Sequence, residues 1–264
     1  MNLVNEAIKV WAFTARGGIM NRRNVFAVFE MLFWPLMGLF SVGLLTRFLE
    51  LGPETVSFVL IGAVAMNTVQ IAQLDVSYAL LYDVWGKSLK HALIAPINLV
   101  HVVLGSGLVG LIRGLVVFGV MLGLSIWAFG MDLSRQGWPA LLIFFIGLFL
   151  VAVIEGVIVL SLVLLFGHRA EITAWAVSYL VLLLSGMYYP VTLLPPILQT
   201  VAQVFPLTHF LEYFRHFYGF PLSASWPLWR GFGLSLAYLA GGYILITLSL
   251  RLARKRGTLL KLSE

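Results

Sequence analysis

Six runs of apolar residues, each near the length needed to cross a lipid bilayer, account for most of this chain of 264 residues. The hydrocarbon core of a membrane takes about 20 residues of α-helix. The runs cover approximately residues 25–49, 56–81, 99–129, 139–166, 172–189 and 228–252. The third and fourth are long enough to tilt or to extend beyond the bilayer. The fifth is short and ends in "GMYYPVTLLPP" (186–196), where three prolines and two tyrosines interrupt the apolar pattern. Irregular backbone at membrane depth is tolerated only where protein or a water-filled cavity satisfies it, so this break calls for a structural reason.

Composition agrees with the runs. The chain is 61% hydrophobic and 11% charged, against about 25% charged residues in a soluble domain. The expected fold is an all-α integral membrane protein with six transmembrane helices. No soluble block of domain size remains, so neither a catalytic nor a nucleotide-binding domain is expected in it. The absence of cysteine excludes disulfides, zinc–thiolate sites and iron–sulfur clusters. The net charge of +6 reads as membrane topology and not as nucleic-acid binding. Lys9, Arg16, Arg22, Arg23, Lys87, Lys90, Arg169 and the basic C-terminal cluster fall on one side of the spans, while Arg47, Arg135, Arg215 and Arg230 fall on the other. The richer side is expected in the cytosol, with both termini.

Three pieces lie outside the spans. Residues 3–16 place Leu3, Ala7, Val10, Trp11 and Thr14 opposite Asn5, Glu6, Lys9 and Arg16, the pattern of an amphipathic helix on the inner membrane surface. Glu6, Lys9 and Arg16 also break any signal-peptide apolar core. Residues 1–24 are therefore read as a cytosolic interface segment and 25–264 as the membrane domain. Residues 85–98 form a polar cytosolic stretch, and 189–227 an external segment too long for a plain connection.

"GKS" at 86–88 lacks the P-loop's earlier glycine, since that position is Leu81, and ATP hydrolysis is expected from another chain. His209, Glu212 and His216 share a helical face, but the surrounding Phe210, Tyr213, Phe214, Phe217 and Tyr218 favour a helix at the membrane interface over a metal site. Asn67, Gln70, Gln73 and Ser77 make a polar stripe on the second span, either a candidate pathway or hydrogen-bonding glue between helices. Arg113 and Glu155 are the deepest charges, at about 20 Å and about 16 Å from the cytosolic ends of their helices, and are expected to pair, because an unpaired charge there costs several kcal/mol. Ser106, Gly110 and Gly114 give the third span a small-residue face for close helix contact.

Four stretches, "FEMLFWPLMGLF" (29–40), "VWGKSLKHALIAPIN" (84–98), "FGHRAE" (166–171) and "SGMYYPVTLLPPILQTVAQVFPLTHFLEYFR" (185–215), resemble the ABC-2-type permeases, the membrane subunits of ATP-binding cassette exporters. The resemblance covers nearly the whole chain. It implies six helices per subunit, a homodimer of this chain, and two copies of a separate ATPase that carries ATP and Mg²⁺; no cofactor is implied in this chain. It implies a cytosolic coupling helix with Trp85, Lys87, Ser88, Leu89, Lys90 and His91 as the ATPase-facing residues. Where the family pattern often has an acidic or Glu-Arg start, this chain has Asp83 and Trp85. It further implies short re-entrant helices capping the exit, with Tyr188, Tyr189, Pro190, Pro195, Pro196 and Pro206 setting their ends. The expected function is outward transport of an amphipathic, lipid-like, drug or glycan substrate by alternating access across the cell membrane. An ion-coupled secondary transporter or channel using Arg113, Glu155 and Asp75 is the alternative, and an intramembrane metalloenzyme a more distant one.

Overall fold

A computed structural model of the chain describes residues 3–86, 97–134 and 136–256. All regular structure among them is helical. In chain order the helices are α1 (Leu3–Arg23), α2 (Val25–Phe48), α3 (Pro53–Ser77), α4 (Leu81–Trp85), α5 (Leu99–Phe129), α6 (Gly137–Phe166), α7 (Thr173–Leu184), α8 (Pro196–Ala202), α9 (Pro206–His216) and α10 (Pro227–Arg256). Five of them, α2, α3, α5, α6 and α10, are long and apolar enough to cross a membrane.

The fifth expected span is not one long helix. It divides into a 3₁₀ turn, His168–Ile172, and the 12-residue α7. Twelve residues rise only about 18 Å, short of the roughly 30 Å hydrocarbon core. Gly167 and Gly186, at φ +80° and +68°, stand at the two ends of this segment in a conformation that ends a helix. Elsewhere the boundaries follow local chemistry. Pro53, Pro196 and Pro206 occupy first turns, where a missing N–H costs nothing. Asn24 alone separates α1 from α2, and its side chain caps α2 by accepting from the Ala27 N–H at 3.2 Å.

Helix α3 is the centre of the bundle, packed chiefly between α5 and α6. Its most apolar window is 78% buried, whereas those of α2 and α10 are 17% buried; α3 is therefore a core helix, and α2 and α10 turn most of their surface outward. The small-residue face expected on α5 meets α3. A Cβ at Gly110 would stand 2.6 Å from the Ala72 carbonyl oxygen, and one at Gly114 would stand 3.2 Å from the Ala72 Cβ. Only small side chains permit that approach.

The two ends of the bundle differ. At one, Ala253 near the end of α10 joins Val76, Leu80 and Val102, with Phe13 of α1 packed against them. At the other, Arg47 stacks over the Phe129 ring at 5.4 Å and donates to the Ala128 carbonyl. There too Tyr218 donates to the Asp132 carbonyl at 2.8 Å and accepts from Gln136 at 3.1 Å. Helix α1 is longer than the expected residues 3–16 and rests on α5, with Thr14 Oγ1 donating to the Gly105 carbonyl at 3.2 Å. Val4, Ile8 and Trp11 face outward, as an amphipathic surface helix requires.

Helix α9 departs from the expected interfacial helix. Leu207, His209, Phe210, Leu211, Phe214 and Arg215 are all buried. Phe214 stacks on Phe144 of α6 at 4.4 Å, and Phe210 meets Phe232 of α10 edge-on at 5.0 Å. Of the aromatic residues expected as membrane anchors, Phe210 and Phe214 instead fill protein.

Candidate transport and coupling elements

The expected Arg113–Glu155 pair does not form. Arg113 Nη1 lies 2.6 Å from Asp75 Oδ1 of α3, and Arg113 Nε donates to Met31 Sδ of α2 at 3.4 Å. Glu155 instead accepts from Ser178 Oγ of α7 at 2.6 Å. The reason is layering: α3 lies between α5 and α6, so sequence neighbours are not the principal packing partners. The first turns of α5 lie beside α1, where a Cβ on Gly105 would collide with Phe13.

The polar stripe of α3 is spent within protein. Gln73 Nε2 donates to the Ala174 carbonyl of α7 at 3.0 Å, and Ser77 Oγ donates to Gln73 Oε1 at 2.6 Å. Asn67 Nδ2 donates to the Ala63 carbonyl of its own helix at 2.8 Å. Gln70 is buried, and among the described residues neither of its amide atoms has a partner. Ala174 and Ser178 make α7 a strap over α3 and α6. Sequence reading missed this role, for which Ser178 in an apolar run was the available signal.

Of the candidate coupling residues, Lys87, Ser88, Leu89, Lys90 and His91 lie outside the described residues. Trp85 is half exposed and meets Tyr78 and Tyr82 edge-on, each at 5.6 Å. The segment leading into this stretch is tied to α1. Arg16 Nη2 lies 2.6 Å from Asp83 Oδ1, and Asp83 is buried. Farther along α1, Glu6 Oε2 stands 2.5 Å from His101 Nε2. His101 Nδ1 accepts from the Asn98 N–H at 3.0 Å, so the ring proton sits on Nε2 and is donated to Glu6. Lys9 and then His101 hold the Glu6 carboxyl below the usual carboxylate range. The N-terminal helix, α4 and the start of α5 are thus one linked unit, legible in the sequence only as scattered charges.

At the opposite end, the prolines set boundaries. Pro190 precedes a short 3₁₀ turn, Val191–Leu193; Pro195 caps α8, which Pro196 begins; Pro206 begins α9. Tyr189 donates to the Leu183 carbonyl, and Tyr188 is half-buried. The residue that joins these parts is Arg215, which sequence reading placed among external charges. Its guanidinium donates to the carbonyls of Gly186 at 2.8 Å, Phe58 at 3.1 Å and Met187, and lies 3.5 Å from the Phe58 ring centre. A Cβ on Gly62 would collide with the Met187 carbonyl and stand 3.0 Å from Arg215 Nη2. Burial pulls the Arg215 pKa down to about 9, with Glu212 opposing, so the group keeps its charge near neutral pH.

His209, Glu212 and His216 do not converge. His209 Nε2 donates to the Gln203 carbonyl at 2.9 Å, Glu212 accepts from Ser223 Oγ at 2.5 Å, and His216 Nδ1 lies 3.3 Å from the Phe220 carbonyl. Among the described residues no group of three His, Asp, Glu or Cys side chains is arranged to hold a metal ion.

Comparison with known proteins bears on the same elements. The profile of a family described as ABC-2 type transporter matches residues 9–218, from α1 through the end of α9. An uncharacterized protein of Archaeoglobus fulgidus is 47% identical over 49 residues, which is 19% of this chain and 77% of that protein.

Proposed function

Because the chain belongs to the ABC-2 type transporter family and is a multi-pass membrane permease, we propose that it is the membrane subunit of an ATP-driven exporter. The family match from α1 to α9 is the observation that carries this reading. In it, a homodimer of this chain pairs with two copies of a separate ATPase, which supplies ATP and Mg²⁺. The basic end, with α1, the 85–98 stretch and the end of α10, faces the cytosol. Residues 168–189 complete a sixth crossing as a bent segment, and α8 and α9 form a re-entrant cap on the outer side. Residues 1–24 serve as the interface segment and 25–264 as the transport domain.

The mechanism is alternating access. ATP binding draws the ATPase subunits together and moves the 85–98 stretch. The Arg16–Asp83 tie at its entrance supports a path from that movement into α1, and the Arg113–Asp75 pair supports one through the α3–α5 contact. The substrate is an amphipath such as a lipid, drug or glycan conjugate. No residue of this chain performs covalent chemistry in this scheme.

The test is reconstitution with an ATPase encoded beside the chain. The expected result is no ATP hydrolysis by this chain alone, a two-plus-two complex with the ATPase, and ATP-dependent export. Transport by this chain alone, driven by an ion gradient, would overturn the reading.

A further inference from the structure

A cavity of about 200 Å³ opens between α3, the turn after α7, α9 and the loop that follows α9, and Phe58, Ser185, Glu212, Arg215, Phe220 and Ser223 are among its lining residues. Its chemistry is uneven. Arg215 is 3% exposed, and among the described residues no carboxylate lies within 4.0 Å of its guanidinium. Three of the guanidinium's N–H groups are held by carbonyls, while among the described residues its Nε–H has no acceptor. Ser185 Oγ, 1% exposed, also has no partner among the described residues. Buried donors of this kind ordinarily find acceptors, and a buried cation ordinarily finds an anion. Both unsatisfied donors belong to residues that line the cavity.

The rim carries the opposite charge. Glu212 lies one helical turn before Arg215, so the two side chains are neighbours on α9. Glu212 is fixed by Ser223, accepting from its hydroxyl at 2.5 Å and its N–H at 3.3 Å. Phe58 and Phe220, edge-to-face at 4.7 Å, supply an apolar wall. The cavity therefore has a recessed cation and a buried hydroxyl in its lining, a carboxylate acceptor beside them and aromatic surface between.

We propose that this cavity binds a zwitterionic group in which a phosphate and a primary ammonium are joined by a short link, with the phosphate against Arg215 and Ser185 and the ammonium against Glu212. A plain dianion is disfavoured by Glu212, and a simple cation by Arg215. The ligand class is the phosphoethanolamine head of a lipid, or a free molecule with the same two charges. The assignment uses the cavity alone and does not depend on how transport is driven.

The experiment is lipid retention by the purified full-length protein, read by native mass spectrometry. Phosphatidylethanolamine is expected to be retained at least tenfold over phosphatidylglycerol, which lacks the amine, and over phosphatidylcholine, whose methylated amine cannot donate to Glu212. Glu212→Gln keeps one of the two acceptors for Ser223 and should remove the preference. Ser185→Ala should weaken retention of phosphatidylethanolamine several-fold. These two variants keep the test independent of Arg215, whose loss could unfold the region it ties together. Soluble phosphoethanolamine competing at micromolar concentration would support the site with a free zwitterion as its source; competition by the lipid alone would support the lipid. Equal retention of the three lipids by the unaltered protein, or an unchanged preference in Glu212→Gln, would overturn the proposal.

Discussion

Arg113 and Asp75 illustrate how a single misassigned partner changes the expected energetics. Removing one side of a buried ion pair costs about 3–5 kcal/mol, while replacing both sides with apolar groups is milder. Arg113→Leu and Asp75→Leu should each destabilise the protein more than the double replacement does. Arg113→Leu combined with Glu155→Gln should be additive, because Glu155 bonds to Ser178. A double-mutant cycle on thermal unfolding in detergent measures both; non-additivity with Glu155 would contradict the observed pairing. His209 gives a pH dependence. Burial, with a smaller contribution from Arg230, lowers its pKa below the ordinary 6.5, against the Gln203 carbonyl and Glu212. The unfolded chain therefore binds the proton more readily than the folded one. Stability is full above that ordinary value and is lost as pH falls through it toward the lower folded value. The melting temperature should drop as the pH falls below 6.5, and that of the His209→Gln variant should drop less. An equal drop in both would assign the effect to other groups.

At the scale of elements, the long spans could be read because apolar length alone determines them. Helices α2, α5, α6 and α10 begin and end within a few residues of the expected limits. The expected fifth span is built as a 3₁₀ turn and a short helix, because an apolar run reports burial or lipid contact and does not report whether the helix stays straight. Gly167 and Gly186 were visible, but their positive φ angles arise from the packing around them. The ion pairs escaped for a similar reason. Glu6, Arg16, Asp83 and His101 are far apart in sequence, and only the docking of α1 on α5 brings them together. The close α3–α5 contact was legible, since Gly110 and Gly114 could be counted onto one face. Gly110→Leu should therefore force α3 and α5 apart, at a cost of about 1–3 kcal/mol or more from overpacking. The same change at Gly119, which faces open space, should be nearly silent. Expression level and melting temperature of the two variants decide between a packing role and mere helix propensity.

For the whole molecule, Phe13 of α1 and Ala253 of α10 belong to one cluster at one end of the bundle, and the proposed cap lies at the opposite end. Single cysteines can be introduced freely, because the sequence has none. Under the proposed topology, one at Glu212 is labelled from outside intact cells by an impermeant thiol reagent, and one at Lys255 is labelled only after permeabilisation. The reverse pattern would invert the orientation. Labelling of both in intact cells would place the two ends on the same side of the membrane and reject the six-crossing layout.

The lone residue between α1 and α2 has a mechanical meaning. Helix α1 is pinned at Thr14, Arg16 and Glu6, while α2, with 24 residues, is the least enclosed of the spans together with α10. Asn24 is thus the fulcrum of a lever about 36 Å long. A swing of about 5° there carries the far end of α2 through roughly 3 Å, the scale of half a helical turn. Because Arg47 ties that far end to Ala128 and Phe129 of α5, such a swing would have to break that tie or carry the end of α5 with it.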